Sequence, residues 1–149
     1  MRTIEEMKIL SIIPILFLSM SAILSAQTVY DIQMSGLDMV PRVHTPAMGT
    51  AQVWIESDTL YVRGTFSDLQ GTYFAAHIHY GERGRSGNRI FRLQASLNEG
   101  NRSGEFKEEE NKFHLRPAQR SAITAGNFYI TVSTNRHQQG ELRGQIPRI

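Results

Sequence analysis

Two stretches of alternating apolar and polar residues, joined by three polar residues, constrain the fold of this chain most. Apolar side chains occupy every second position in residues 49–56, and residues 60–66 repeat the pattern after the polar residues 57–59. Successive side chains of a strand point to opposite faces, so this period of two predicts two half-buried strands. Their short polar connection predicts that they form a β-hairpin.

Further short strands are predicted along the rest of the chain. The pattern places them at residues 72–80, 90–97, 128–134 and 140–146, with a polar edge strand at 105–109. Glycine-containing and polar turns separate them. Strands of this length and spacing are typical of a sandwich or a barrel and not of alternating strands and helices.

One helix is predicted, over residues 117–125. Pro117 suits the first helical position, and Gly126 suits the position just after the last turn. We therefore predict an all-β domain, an antiparallel Greek-key-like β-sandwich with one short helix.

The N-terminal segment has the layout of a secretory signal peptide. Arg2 and Lys8 supply early positive charge, an apolar run covers residues 9–24, and small residues follow at 25–26. A retained membrane anchor is the alternative, but an apolar run of about 16 residues is short of the roughly 20 that a span needs.

Cleavage at that point predicts a signal peptide at residues 1–26 and one mature domain at residues 27–149, without a membrane span. The predicted location is secreted, periplasmic or in the cell envelope. The chain has no cysteine, so a mature domain must be held together by its core and not by disulfides.

Arginine supplies nearly all the positive charge after the signal segment, and the whole chain carries a formal net charge of +2. No run of like charge exceeds a few residues, which favours a solvated surface with paired carboxylates. An anion-binding face for a polysaccharide or a carboxylate is the alternative. No nucleic-acid-binding module is recognisable.

Four segments of the chain, in order, carry a resemblance to a known family. They are residues 34–43 (MSGLDMVPRV), 49–53 (GTAQV), 76–87 (AHIHYGERGRSG), and 126–134 with 140–146 (GNFYITVST and GELRGQI). Together they resemble the CHRD (chordin) domain family, in its single-domain secreted type. The resemblance implies an extracytoplasmic β-sandwich but not a reaction, and Arg42 departs from it by replacing the family's second proline.

The His77-x-His79 pattern is a candidate metal site. The two residues lie two apart on a predicted strand, so both imidazoles leave the same face, and imidazole suits copper or zinc. The pattern is similar to the His-x-His strand of copper–zinc superoxide dismutase. The third histidine that the resemblance implies is replaced by Ser133, which leaves His137 or His44 as substitutes.

A structural role is the alternative for both histidines. They would hydrogen-bond backbone groups and hold the glycine-rich segment 81–87, here called the glycine loop. The missing third histidine favours this structural interpretation over metal binding. A dismutase-like enzyme is favoured least, because the additional zinc ligands of that fold are absent from the sequence.

Two further residues are candidates for binding. Arg143 shares the polar face of its strand with Glu141 and Gln145, where it would pair with a carboxylate such as Glu141 or steer an anion. Tyr80 belongs to a set of aromatic residues that would form a contact patch. No Ser/His/Asp arrangement has motif support.

The sequence therefore predicts an exported, non-catalytic binding or interaction module. Its contact surfaces would be the glycine loop and the loop at 135–140, because loops on a rigid scaffold commonly carry binding function. Its partner would be an extracellular or envelope protein, or a glycan. The alternatives are a copper- or zinc-binding protein and, after it, a dismutase-like enzyme.

Overall fold

The computed structural model describes residues 26–149. Apart from Ala26, the signal peptide predicted at residues 1–26 lies outside the described residues. Within 26–149, no helix has the length and apolar character that crossing a membrane requires.

Ten strands and one α-helix make up the described part of the chain, with two short 3-10 turns at Gly36–Asp38 and Glu108–Glu110. The elements are β1 (Tyr30–Ser35), β2 (Met48–Glu56), β3 (Thr59–Ser67), β4 (Tyr73–Tyr80), β5 (Arg89–Leu93), β6 (Ser96–Leu97), β7 (Gly104–Phe106), β8 (Lys112–His114), α1 (Pro117–Thr124), β9 (Phe128–Thr134) and β10 (Leu142–Ile146).

The strands form one continuous antiparallel sheet that curls around the core. Its strand order is β5-β4-β9-β10-β1-β2-β3-β7-β6, and β8 pairs with β3 beside this path. The prediction of an antiparallel all-β fold with one short helix is confirmed for the described residues, since the curled sheet presents two facing halves as a sandwich does.

The two ends of the curled sheet meet. Phe91 of β5 stacks on Phe113 of β8, with 4.8 Å between ring centroids. The buried Asn111 reinforces this contact, because its amide donates to the carbonyl of Gln94 and accepts from the Gln94 N–H. Because its ends are in contact, the sheet encloses the hydrophobic core between two facing halves.

The core follows the predicted alternation. In the β2–β3 hairpin, Val53 and Val62 face each other in register and are fully buried. Burial of one such side chain contributes roughly 1.5–3 kcal/mol relative to leaving it in water. Strand β3 also buries Leu60 and Phe66. The other strands add the following buried side chains: Ala76, Ile78, Leu93, Phe128, Ile130, Val132, Leu142 and Ile146.

Four details differ from the sequence prediction. The polar edge strand predicted at 105–109 is the shorter β7, because a 3-10 turn begins at Glu108. The strand predicted at 90–97 is two strands, because β5 pairs with β4 at one end of the sheet and β6 pairs with β7 at the other. The last strand begins at Leu142 and not at residue 140. Strands β1 and β8 were not predicted.

Residues 36–47 form a covering segment over the outer face of β9 and β10. Met39 is buried within van der Waals reach of Gly140, and Thr45 donates a hydrogen bond to Glu141. This segment and the glycine loop together cover that face, and all seven residues of β9 are buried, including those that point away from the core. Polar side chains on that face therefore need partners within the protein.

Candidate functional site: the glycine loop and the outer face of β4

The two histidines of the His-x-His pattern lie on the outer face of β4. In register, His77 is opposite Thr131 of β9 and His79 is opposite Tyr129. The two imidazole centroids are 6.0 Å apart, with an angle of 79° between the ring planes. The rings leave the same face of the strand, but their surroundings differ.

His79 is buried, and both of its ring nitrogens are engaged. Nδ1 lies 3.0 Å from the carbonyl oxygen of Gly87, and Nε2 lies 2.9 Å from the hydroxyl of Thr131. A carbonyl only accepts, so Nδ1 carries the hydrogen and Nε2 accepts from Thr131. Burial lowers the pKa of His79, outweighing its bond to Gly87, which favours the neutral ring.

Tyr129 continues the support of the glycine loop. Its ring stacks on His79 with centroids 4.8 Å apart, and its hydroxyl accepts the Gly87 N–H at 2.9 Å. Gly87 itself has no room for a side chain, because a Cβ would overlap the carbonyl oxygen of Tyr80. The end of the glycine loop at Gly87 is therefore held by the side chains of His79 and Tyr129 on one side and packed against the Tyr80 backbone on the other.

Arg143 holds the middle of the glycine loop from β10. Its guanidinium lies 3.6 Å from the centroid of the Tyr129 ring and donates to the carbonyls of Arg85 and Glu82 at 2.8 and 2.9 Å. A third hydrogen bond reaches the side chain of Gln145. Arg143 is only 2% exposed, so its guanidinium is not presented to an external anion.

Glu141 is not the partner of Arg143, so that prediction is wrong. The fully buried Glu141 carboxylate accepts hydrogen bonds from Thr45 at 2.6 Å, the Gln70 N–H at 2.7 Å and Thr134 at 2.9 Å. Burial alone would raise the pKa of Glu141, but these hydrogen bonds outweigh it and the net pKa is lowered. The two charged groups are held apart because each has its own set of neutral partners.

His77 has a different environment from His79. Its Nδ1 is buried without a hydrogen-bond partner among the described residues. On the neighbouring strand β5, Arg92 lies opposite His77 and Arg89 lies opposite His79. Burial first, and then the charges of Arg89, His79 and Arg92, lower the pKa of His77.

The substitutes for a third metal ligand lie elsewhere. His137 bonds the Gln70 side chain through Nε2 at 3.1 Å, and its N–H bonds Thr134 at the end of β9. Thr134 pairs with Tyr73, four residues from His77 and therefore roughly 13 Å away along the strand. His44 is exposed on the covering segment.

These residues do not fit a copper or zinc ion. Among residues 26–149, no group of three or more His, Cys, Asp or Glu side chains is placed to hold a metal. The Nε2 lone pair of His79 is taken by Thr131, and the charges nearest His77 are cationic. The predicted metal site stays untested by experiment, and the geometry supports the loop-holding role for His79.

The profile of the CHRD domain matches residues 30–146. The chain belongs to the CHRD domain family. Neither the curated proteins nor the solved structures returned a significant match.

The match spans this CHRD domain from the first residue of β1 to the last residue of β10. The segments that carried the resemblance thus have a physical role here. The motif residues His79, Tyr129, Arg143 and Gln145 all hydrogen-bond the glycine loop or its flanks. In this CHRD domain, the motif builds a fixed loop.

Tyr80, the other predicted binding residue, lies apart from Arg143. Its ring is 50% exposed at the end of β4 and contacts Phe128 edge to face. Together with Ile90 and Ala122 of α1 it lines a shallow, mainly apolar groove. Tyr80 is accessible to a partner, whereas Arg143 is covered.

Sequence reasoning missed the loop-holding roles of Tyr129, Thr131 and Gln145. The alternation of residues predicts that they lie on the polar face of β9 and β10. It does not predict that the glycine loop and the covering segment pack over that face. It also missed Asn111, a polar residue next to a short strand, whose burial has no local signal. A lone asparagine beside charged residues looks like part of a solvated turn.

Proposed function

We propose that this CHRD domain is an exported, non-catalytic binding module whose main contact surface is the glycine loop. The observation that carries the proposal is the support of that loop by four side chains from three strands: His79, Tyr129, Arg143 and Gln145. A loop that is ordered before binding loses little conformational entropy when a partner docks.

The side chains of the glycine loop are available although its backbone is fixed. Glu82, Arg83, Arg85 and Ser86 are all exposed. The backbone carbonyls that would otherwise bind water are taken by Arg143 and Gln145. The loop therefore presents a defined set of polar and charged groups, which is what recognition of a specific partner needs.

The second predicted contact loop, residues 135–140, is also shaped from within. The Asn135 side chain accepts the Thr72 N–H at 3.0 Å, and His137 is bonded to Gln70. Gln138 and Gln139 are exposed. This loop supports the proposal as a secondary contact surface.

A non-catalytic role is favoured by the state of the buried polar groups. A general acid, a general base or a nucleophile needs a group that reaches substrate. His79, Glu141 and Arg143 instead have their donors and acceptors taken by the protein. Export is proposed from the signal-peptide pattern, and the partner would be an envelope or extracellular protein or a glycan.

Site-specific photo-crosslinking in the producing cell tests the proposal. A crosslinking amino acid at Ser86 in the glycine loop, or at Gln138 in the second loop, is expected to capture a defined partner. The matched control is exposed Glu99, in the turn between β6 and β7. Equal capture from Glu99, or no capture from any position in exported protein, would contradict the proposed contact surfaces.

The metal alternative is tested by elemental analysis of exported, untagged protein beside a His77→Ala variant. His77 is the better position to change, because removing His79 would also remove support of the glycine loop. We expect less than stoichiometric copper and zinc in both proteins. About one metal ion per chain in wild type, lost in a folded His77→Ala variant, would replace the present proposal with a metal protein.

A further inference from the structure

We propose that His77, Arg89 and Arg92 form a binding site for an oxyanion group, a carboxylate or a sulfate, on the outer face of β4 and β5. The inference rests on the proposed binding function and names the chemistry that this face would recognise. It involves a surface different from the glycine loop and from the covered Arg143.

The sheet register brings the three side chains together. His77 lies directly opposite Arg92, and Arg89 lies opposite His79, so both arginines flank His77 on the same face. Directly opposed residues of antiparallel strands have Cβ atoms about 4.5–5.5 Å apart. Arg89 and Arg92 are both exposed, so solvent reaches this face of the strand pair.

The burial of Nδ1 determines which ring nitrogen of His77 a ligand can reach. Nδ1 is buried without a partner, whereas Nε2 is neither hydrogen-bonded nor fully buried among the described residues. A buried unpartnered N–H is rarer than a buried unpartnered acceptor, which favours the tautomer with the hydrogen on Nε2. His77 therefore offers an N–H donor on its accessible side.

Arg89 and Arg92 are exposed, and neither has an ion pair within 4.0 Å or a side-chain hydrogen bond in the described part of the chain. Other arginines do have carboxylate partners there: Arg63 with Glu108, Arg83 with Asp38, and Arg120 with Asp58. The charges that act on His77 are all cationic. The cluster therefore supplies positive charge and accessible hydrogen-bond donors, and no carboxylate in the described part of the chain pairs with either arginine.

This combination selects the ligand. Donors and positive charge disfavour a metal cation and favour an oxyanion, and the planar fork of arginine matches a carboxylate or a sulfate with two parallel hydrogen bonds. Such a group would come from a free anion or from an acidic polysaccharide. Both sources carry the carboxylate or sulfate group that the site would bind.

Nitrogen-15 NMR titration of the mature domain tests the site with two probes, sodium sulfate and a tetragalacturonate oligosaccharide. We expect saturable shifts of the His77 ring nitrogens and of the Arg89 and Arg92 Nε–H signals. A response to both probes identifies the anionic group alone as sufficient. A response to the oligosaccharide alone identifies the polymer as the source.

Two double variants of equal net charge separate a site from general attraction. Arg89→Gln/Arg92→Gln is expected to weaken binding about tenfold or more, since charge-assisted pairs are lost. Arg102→Gln/Arg148→Gln, at exposed positions away from β5 and from both proposed contact loops, is expected to change it less than twofold. Arg89→Lys/Arg92→Lys keeps the charge without the fork and is expected to be intermediate.

The inference is overturned if neither probe binds wild type, or if both glutamine variants weaken binding equally. The Lys variant guards against loss of folding, because it leaves charge and length nearly unchanged. Crosslinking from Ser86 in the Arg89→Gln/Arg92→Gln background separates the two proposals. Retained capture with no anion binding removes only the oxyanion site, whereas loss of capture in wild type removes the binding function itself.

Discussion

Arg143 has its guanidinium stacked on Tyr129 and bonded to two carbonyls of the glycine loop. Its partners are neutral dipoles, so the cation is buried without a carboxylate of its own. The arrangement depends on the shape of the guanidinium fork, because a lysine ammonium cannot reach two carbonyls while lying flat on a ring. Loop order is thus linked to the identity of one residue.

Replacing Arg143 by Lys is expected to lower the free energy of unfolding by about 1–3 kcal/mol, because buried carbonyls lose their donors. Urea denaturation measures this change. Hydrogen exchange of residues 82–86 is expected to accelerate as well. An Arg148→Lys variant, exposed near the C-terminal end, is the control. Unchanged exchange in the loop of Arg143→Lys would show that Arg143 does not hold it.

Glu141 predicts the response of the domain to acid. Its pKa is lowered from the usual 4.5 in the folded state, so its contribution to stability is present above that value and is lost as pH falls through the folded pKa. In urea denaturation, the Glu141→Gln variant is expected to be less stable at neutral pH and to lose less on acidification. Glu99→Gln, at an exposed position, is the control, and parallel pH curves for wild type and Glu141→Gln would contradict the assignment.

At the scale of elements, the contact between the two ends of the curled sheet depends on few residues. Phe91 stacks on Phe113, and Asn111 bridges the backbone of Gln94 and Lys107. The stack provides apolar contact, whereas the asparagine satisfies backbone groups that the short strands leave unpaired. The closure would weaken sharply if that amide were removed.

The Asn111→Ala variant is expected to lose roughly 2–4 kcal/mol of unfolding free energy, because three partly buried hydrogen bonds to the backbone of Gln94 and Lys107 are lost at about 0.5–1.5 kcal/mol each. Asn98→Ala removes an exposed side-chain bond to Ser103 and is expected to cost less than about 1 kcal/mol. Thermal and urea unfolding compare the two. Equal losses would show that Asn111 has no special role in closure.

Elements defined by local pattern could be predicted, and elements defined by distant partners could not. The β2–β3 hairpin and α1 have their alternation, turn and Pro117 signals within a few residues. Strand β8 has only three residues and exists through its pairing with β3. The outer face of β9 looked solvent-exposed because the segments that cover it are distant in sequence: Thr45 of the covering segment bonds Glu141 from 96 positions away, and Gly87 of the glycine loop bonds Tyr129 from 42 positions away. The roles of Tyr129 and Gln145 could not be predicted for the same reason, since their partners in the glycine loop are 42 and 64 positions away in sequence.

At the scale of the whole molecule, strands that are neighbours in space are often far apart in the chain. Strand β10 pairs with β9 on one side and with β1 on the other, which places it inside the sheet. Pairing of distant segments costs loop-closure entropy before it gains contacts, so such folds form slowly, in milliseconds to seconds. The core is complete only when β1 and β10 meet.

Truncated chains are expected to show this dependence. A chain ending at residue 141 lacks the strand that joins β9 to β1, so it is expected to be digested rapidly by a non-specific protease. The chain through residue 149 is expected to resist the same treatment. Circular dichroism of both proteins measures folding independently. A truncated chain with a native spectrum would show that the two halves of the sheet hold together without β10.

The position of β10 has a consequence for the order of events during biosynthesis. Residues 142–146 leave the ribosome after every other described strand. β1, made first among them, can pair with β2 early, but the edge of β1 that faces β10 stays unpaired until these residues arrive. Until then the nascent polypeptide has no closed core. A polypeptide without a closed core is easier to unfold for passage through a narrow channel, so the late synthesis of β10 is compatible with the proposed export route.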